Sequence, residues 1–356
     1  MNRLNVLSLF DGMSCGQIAI NKIGIKDYNY FASEIDEAAI KVTKNNFPKT
    51  KHLGSVTEVR FKNGFLITNK KMIFVGKIDL LIGGSPCQNF SFSGKQKGMI
   101  TEENIEILTL KDYLKMKNEG FKFKGQSFLF WEYVRLYKEI SSENANAKFL
   151  LENVNMQKKW SDIISEEMNV NFIKVNSSLV TAQNRPRMYW TNIEGFQAPK
   201  NIKLKIKDIL EQNTENFTFV KDTTYFNSKT KLTNESKVEV LKRNYINDNL
   251  EKETCKLVSE ITGDTPSKLS RQGDRVYSIL GKSPCLTTSG VIMIDGGSSD
   301  LLNWRRLTRN EKEKLQNVPE NYTSCVNENK ASKLLGNGWS VDIIVEFLKN
   351  VKYEIN

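Results

Sequence analysis

Ile78-Asp79-Leu80-Leu81-Ile82-Gly83-Gly84-Ser85-Pro86-Cys87-Gln88 is the stretch on which the reading of this chain turns. An apolar run of strand length ends in two glycines, and a proline and a cysteine follow at once. Short apolar runs bounded by Gly and Pro read as buried strands. Cys87 is therefore expected just past the carboxyl end of a strand, the edge where open α/β sheets hold ligands. Taken alone, such a cysteine is more often an inert, half-buried small residue. Its neighbours along the chain change that reading.

Toward the N-terminus, residues 4–10 read as an apolar strand, followed by Asp11-Gly12-Met13-Ser14-Cys15-Gly16 and a helix over Gln17 to Ile23 ended by Gly24. Strand, Gly-rich turn and helix together offer close backbone approach and unpaired N–H groups at a helix start. The glycines do not follow GxGxxG, so a nicotinamide cofactor is not supported. Tyr28 to Glu34 reads as a second strand ending in an acid, where nucleoside-binding sheets place a carboxylate against ribose hydroxyls. A helix over 36–46 and a strand end at Leu53-Gly54-Ser55-Val56 should follow.

Toward the C-terminus, residues 89–98 are polar and basic, a candidate moving loop, and 99–125 form a helix-prone excursion. A helix is expected over Phe128 to Ile140, then a buried strand Lys148 to Val154 carrying Glu152 at the same rim as Cys87. Asn171 to Val180 and Met188 to Ile193 alternate as strands around Gln183-Asn184-Arg185-Pro186-Arg187, whose arginines suit anion or carbonyl binding. From Gly195 to Asn303 the α/β alternation fades into Lys, Asn, Thr and Ser, with Ser283-Pro284-Cys285-Leu286-Thr287-Thr288 its clearest motif. A Thr308-x-x-Glu311 capping box should start a helix running to Val318 and stopped by Pro319. Leu335 to Ser340 reads as a turn before a last helix over Val341 to Val351.

Composition narrows the classes. The 356 residues, 39% hydrophobic and 26% charged, suit a sizeable core and a second domain or insertion. No apolar run reaches the ~20 residues of a membrane helix. No secretory signal is read at the N-terminus, so a cytoplasmic location is expected. Five cysteines, odd in number and never CxxC, suggest neither a disulfide framework nor zinc. The single histidine, His52, leaves little for a His-based triad or metal site and is expected at the surface. The net charge of +11 favours a polyanionic partner, although a Lys-rich surface can serve solubility alone.

The ordered blocks resemble the cytosine-C5 DNA methyltransferases of the bacterial and phage type. These are Ser8-Leu9-Phe10-Asp11-Gly12 with Gly16, Glu34, Gly84-Ser85-Pro86-Cys87-Gln88, Glu152-Asn153-Val154, Gln183-x-Arg185-x-Arg187, Arg306-Leu307-Thr308 with Leu315-Gln316 and Pro319, and Gly336-Asn337. Single blocks are weak; the ordered set is specific. The unmatched region, about 200–270, is where that family keeps its variable target-recognition domain. The chain departs from the family at Ser55, where an acid usually meets the adenine amino group, and at Gly338-Trp339-Ser340, where Trp339 could stack over the cofactor.

The resemblance implies an α/β fold, a Rossmann-like S-adenosylmethionine-dependent methyltransferase sheet with a small irregular target-recognition domain. It implies a catalytic domain over 1–195, recognition over 196–303 and a return to the catalytic domain over 304–356. S-adenosyl-L-methionine, with S-adenosyl-L-homocysteine as product and no metal, would be held by Phe10, Asp11, Gly12, Gly16, Glu34, Ile35, Ser55, Val56, Pro86, Leu129, Asn337 and Trp339. Cys87 would be the nucleophile, Glu152 the acid, Arg187 the binder of the base O2 and Arg185 the brace of the pocket. Gln88, Ser93, Lys95, Gln183, Thr287 and Thr288 are the candidate DNA contacts. The expected partner is double-stranded DNA, read by a monomer, with room for a cognate restriction endonuclease acting independently as in restriction-modification. An enzyme of this fold acting on tRNA and a catalytically silent DNA-binding regulator are the alternatives. The tRNA branch usually carries a Cys-Phe-Thr run, which this sequence lacks.

Overall fold

The computed structural model describes residues 3–86, 90, 98–211, 257–260, 275–277, 279–288, 293–295 and 304–351. Cys87, Gln88, Ser93 and Lys95, the expected helix start after Gln88 and most of 212–303 lie outside the described residues. Contacts divide the chain into two units: Met1–Val175 with Pro186–Ala198 and Val341–Asn356, and Asn176–Arg185 with Pro199–Ser340.

In the first unit β1 (Leu4–Leu9) is buried along its whole length, its four apolar residues joined by the buried polar Asn5 and Ser8. It leads into α1 (Cys15–Lys22), β2 (Tyr28–Ser33), α2 (Glu37–Asn46) and the short β3 (Lys51–His52). Asp36 starts α2 by accepting hydrogen bonds from Ala38 N and Ala39 N, satisfying amides that no helical carbonyl can reach. Three strands that sequence patterning missed follow: β4 (Arg60–Lys62), β5 (Phe65–Ile67) and β6 (Met72–Phe74). They form a separate antiparallel meander. β7 (Leu80–Gly84) is the strand on which the sequence reading was centred. The excursion 99–125 is folded rather than loose. β8 (Ile100–Thr101) and β9 (Phe123–Lys124) pair antiparallel, and α3 (Leu110–Asn118) lies between them in sequence. Then come α4 (Phe130–Glu143), β10 (Lys148–Val154), α5 (Lys158–Met168), β11 (Ile173–Asn176) and β12 (Pro186–Thr191).

The main sheet has seven strands in the order β11-β12-β10-β7-β1-β2-β3. The pairs β1–β2, β1–β7, β7–β10 and β2–β3 are parallel, and β10–β12 is antiparallel. Strand order reverses at β1 and β7, so their carboxyl ends flank the crevice where such sheets bind ligands. The core under the sheet joins Leu7, Leu81 and Phe149 to Trp131, Tyr133 and Trp190.

In the second unit β13 (Leu257–Glu260), β14 (Arg275–Tyr277), β15 (Met293–Asp295) and β16 (Trp304–Arg306) form a four-stranded sheet. They precede α6 (Arg309–Leu315) and α7 (Glu328–Asn337). The last helix, α8 (Val341–Leu348), belongs to the first unit and packs on α1, where Lys22 pairs with Asp342 at 2.6 Å.

Several local expectations are corrected. Residues 177–179 form a 3-10 turn, so β11 stops at Asn176. The Thr308–Glu311 capping box is present, with Glu311 N donating to Thr308 Oγ1 and Thr308 N to Glu311 Oε2. Its helix nevertheless ends at Leu315, ahead of Pro319. Asn317 takes the left-handed conformation, and Val318 N reaches back to Glu313 O, the hydrogen bond of a Schellman stop. Leu335-Gly336-Asn337 is the last turn of α7 and not a loop. A Cβ on Gly336 would collide with the backbone of Thr287 and Thr288, so this glycine lets a helix lie against that loop backbone. His52 is half-buried, and both its ring nitrogens are buried without a hydrogen-bond partner.

The compact units also differ from the three segments read in the sequence. Residues 176–185 and 304–340 group with 199–303, because Thr181 and Gln183 both donate to Leu315 O and Arg185 donates to Gly336 O and Gly338 O.

Candidate active site

The carboxyl end of β1 runs straight into a strained turn. Phe10, Gly12 and Ser14 all have positive φ, at 55°, 58° and 60°. For Phe and Ser this is a costly backbone, seen where surrounding structure overrides local preference. Three hydroxyls hold it. Asp11 Oδ1 accepts from Ser8 Oγ and Tyr30 Oη, each at 2.7 Å, and Oδ2 accepts from Ser14 Oγ. Thr43 and Gln17 extend the network to Ser14. Burial pushes the Asp11 carboxyl up to about 6 despite these hydrogen bonds, and the nearby Glu34 charge adds to the rise. Asp11 thus spends its acceptors inside the turn, and its role in this structure is to shape it. Gly16 likewise serves packing, because a Cβ there would meet Ile82 Cδ1 and Tyr30 Oη.

Glu34, at the end of β2, ties the turn to its own loop. Its Oε2 accepts from Gly12 N at 2.7 Å, and Oε1 accepts from Ile35 N and Asp36 N at 2.7 and 2.8 Å. A carboxylate offers about four acceptor sites, so one remains on Oε2. Beside it Ile35 is 67% exposed, a large apolar side chain standing in solvent at the strand edge. Gly12 has open space where a Cβ would stand. A spare carboxylate acceptor, an exposed apolar surface and an open backbone fit the ribose and base of a nucleoside cofactor. Ser55 and Val56 follow β3 at the start of a 3-10 turn. Ser55 Oγ caps that turn by accepting from Thr57 N and exchanges a hydrogen bond with Thr57 Oγ1. Val56 is buried, while Leu129 and Pro86 are half-buried.

At the end of β7, Gly84 lies in register with Glu152 on β10. Two residues, Ser85 and Pro86, separate Gly84 from Cys87 in the sequence. Glu152 Oε1 pairs with Arg187 Nε at 2.9 Å, both side chains nearly buried. Arg187 is brought there by β12, where it faces Val154 in the antiparallel register. The structure thus brings together Glu152 and Arg187, two of the residues named from the sequence. It gave no role to Asn153, which points to the other side of β10. Asn153 Nδ2 donates to Ser85 Oγ at 3.0 Å and to Ser85 O at 3.3 Å, and Val154 N donates to Asn153 Oδ1 at 2.8 Å. It anchors Ser85, two positions before Cys87 in the sequence. The available signal was a polar residue in the middle of an otherwise buried strand.

In the second unit, Arg185 is buried and donates through Nη1 to Leu286 O and Cys285 Sγ, and through Nη2 to Gly336 O and Gly338 O. It ties together two segments of the second unit through three backbone carbonyls. Gln183 is fully buried. Its amide donates to Leu315 O, and its carbonyl accepts from Leu286 N at 2.8 Å. The expected DNA contact at Gln183 is therefore replaced by an internal tie, because no polar atom of its side chain reaches the surface. Thr287, Thr288 and Asn337 are exposed, and Trp339 is half-buried. No group of three or more His, Cys, Asp or Glu that could hold a metal occurs among the described residues.

The family pattern described as C-5 cytosine-specific DNA methylase matches residues 4–353. The orphan methyltransferase M.SPRI of Bacillus phage SPR is 24% identical over 355 residues, covering 88% of this chain and 74% of that protein. The type II methyltransferase M.HhaI of Haemophilus parahaemolyticus is 26% identical over 370 residues, covering 99% of this chain and 95% of that protein. Among solved structures, the Entamoeba histolytica methyltransferase EhMeth superposes with a TM-score of 0.62 at 16% identity, covering both chains completely. The S. pombe Dnmt2 methyltransferase gives 0.60 at 14% identity, over 99% of this chain and 100% of that one. These neighbours share the fold: a mixed α/β unit with a mostly parallel central sheet. With the pattern running almost end to end over that sheet and its carboxyl edge, the chain belongs to the C-5 cytosine-specific DNA methylase family.

Proposed function

We propose that this protein is a DNA (cytosine-5-)-methyltransferase that methylates a flipped-out cytosine in a specific duplex sequence through a covalent link between Cys87 and C6. The observation that carries the reading is the Glu152–Arg187 pair, held in register with Gly84 on the strand that leads to Cys87. Phe10, Gly12, Glu34, Ile35 and the Ser55–Val56 turn would hold S-adenosyl-L-methionine. When bound, that cofactor supplies an electrophilic methyl group.

Cytosine C5 is a poor nucleophile until C6 accepts a soft one. The Cys87 thiolate adds to C6 and makes C5 enamine-like. Electron density gathered at N3 is met by a proton or strong hydrogen bond from Glu152, which also reads the exocyclic amine. Arg187 holds O2, and its ion pair fixes the orientation of both side chains. Once C5 carries the methyl group, its proton leaves to water and β-elimination frees Cys87. A stacked base cannot meet the thiol, so the target leaves the helix at a cost of a few kcal/mol. Residues 88–98 are the candidate cover for the flipped base, and 196–303 the reader of the surrounding sequence through the major groove. The working form is a monomer, independent of any endonuclease.

The test is methyl transfer from labelled S-adenosylmethionine to mixed-sequence duplex DNA and to tRNA, for wild type and Cys87→Ser, with base-resolution mapping. Methylcytosine in one short DNA motif, abolished by the substitution, is expected. Label in tRNA alone would transfer the reading to RNA, and tight DNA binding without label would make the protein a silent regulator.

A further inference from the structure

The chemistry above makes no use of residues 99–125, yet this excursion is built around buried charge. Glu132, in the first turn of α4, is fully buried and ionic. Its two oxygens have different partners. Oε2 accepts from Arg135 Nε at 2.7 Å, within α4. Oε1 accepts from Tyr113 Oη at 2.5 Å and from Lys117 Nζ, both on α3. Burial works against the Glu132 charge, but Arg135 and Lys117 outweigh it and hold the carboxyl below its ordinary range.

Arg135 is also buried, and it reaches beyond its own helix. Its Nη1 donates to Glu139 Oε1 at 2.6 Å. Its Nη2 donates to Val59 O at 2.7 Å and Val56 O at 3.4 Å. Those carbonyls belong to the 3-10 turn that Ser55 caps and its following residue. A continuous chain of charge-assisted hydrogen bonds therefore runs from α3, through Glu132 and Arg135, to the turn after β3.

We infer that α3 is a positioning element for the cofactor, acting through Tyr113, Lys117, Glu132 and Arg135 on the Ser55–Val56 turn. This rests on the reading that the turn receives S-adenosylmethionine. The physical reason is the asymmetry of Glu132. Without α3, one oxygen of a buried carboxylate loses both donors, and a buried charge stripped of its partner is strongly disfavoured. The carboxyl then takes up a proton or turns away. Arg135 loses the anchor on Nε that aims its other end at the turn.

The experiment is calorimetric titration of the full-length protein with S-adenosylmethionine, alongside steady-state methylation of duplex DNA. Lys117→Met keeps the bulk and removes the charge. Tyr113→Phe removes one hydroxyl without a cavity and decides the matter if Lys117→Met fails to fold. Lys117→Arg restores a cation. The expected result is a Kd and KM for S-adenosylmethionine raised about threefold to thirtyfold in Lys117→Met and Tyr113→Phe. Recovery is expected in Lys117→Arg, with kcat at saturating cofactor and duplex affinity retained. Wild-type cofactor affinity in the folded variants overturns the inference, as does an equal loss of cofactor and duplex affinity. Failure of the wild type itself to bind S-adenosylmethionine overturns the cofactor reading, and this inference with it.

Discussion

Asp11 illustrates how a side chain of recognisable position acquires a role that position alone does not reveal. It stands in the turn that the family pattern marks, yet its carboxyl faces three hydroxyls and is pushed up from 3.8 to about 6, chiefly by burial. Between those two values the folded chain keeps a proton that the unfolded chain has lost, so stability falls as pH rises through about 6. Two units correspond to about 3 kcal/mol. Asp11→Asn, which never ionises, should gain stability relative to wild type by up to about 3 kcal/mol between pH 4 and pH 7.5. Urea denaturation at the two pH values measures this, and a difference independent of pH would mean that the carboxyl is not perturbed. Glu34, by contrast, bonds backbone amides of its own loop and of the turn, at the strand end where the sequence places an acid. Gln183, which the resemblance offered as a DNA contact, is fully buried with both ends of its amide bonded internally.

The approach of α1 to β2 and β7 depends on a missing side chain. A Cβ at Gly16 would meet Ile82 and the Tyr30 hydroxyl. Gly16→Ala should lower stability by about 1–3 kcal/mol through overpacking. Tyr30→Phe, which removes the clashing oxygen, should couple to it, so the double variant is less destabilised than the sum of the singles. Thermal denaturation of the four proteins gives the cycle; strict additivity would place the clash elsewhere. The strands of the main sheet and the Thr308 capping box were readable because apolar runs and cap residues are local signals. The β4–β5–β6 meander was not, because its strands have only three residues each, too few for a period to emerge. Helix ends were also misplaced, since Asn317 and Gly336 act through backbone geometry and tertiary contact.

A net charge of +11 and a polyanionic partner predict an affinity for duplex DNA that falls steeply with salt. The proposed function assigns sequence choice to residues 196–303. Replacing residues 196–303 by the corresponding stretch of a relative should move the methylated motif while Cys87-dependent transfer persists. Base-resolution mapping reads the result, and an unchanged motif would refute the assignment. The structure adds a condition for such a graft. Arg185 and Gln183 hold Leu286 through its backbone carbonyl and amide, so the graft must keep that backbone path and not that side chain.

The sequence by itself determined the class of this protein. Ordered blocks at strand ends identify the family and its mostly parallel sheet, because each block is a local compromise between strand, turn and chemistry. Only the tertiary structure decided which residues of those blocks face outward and which are spent inside. It turned Asp11 and Gln183 inward, joined Glu152 to Arg187, gave Asn153 a partner in Ser85 and wired α3 to the turn after β3. Hydrogen-bond partners distant in sequence leave no period and no spacing to read; burial chooses them, and burial exists only once the chain has folded.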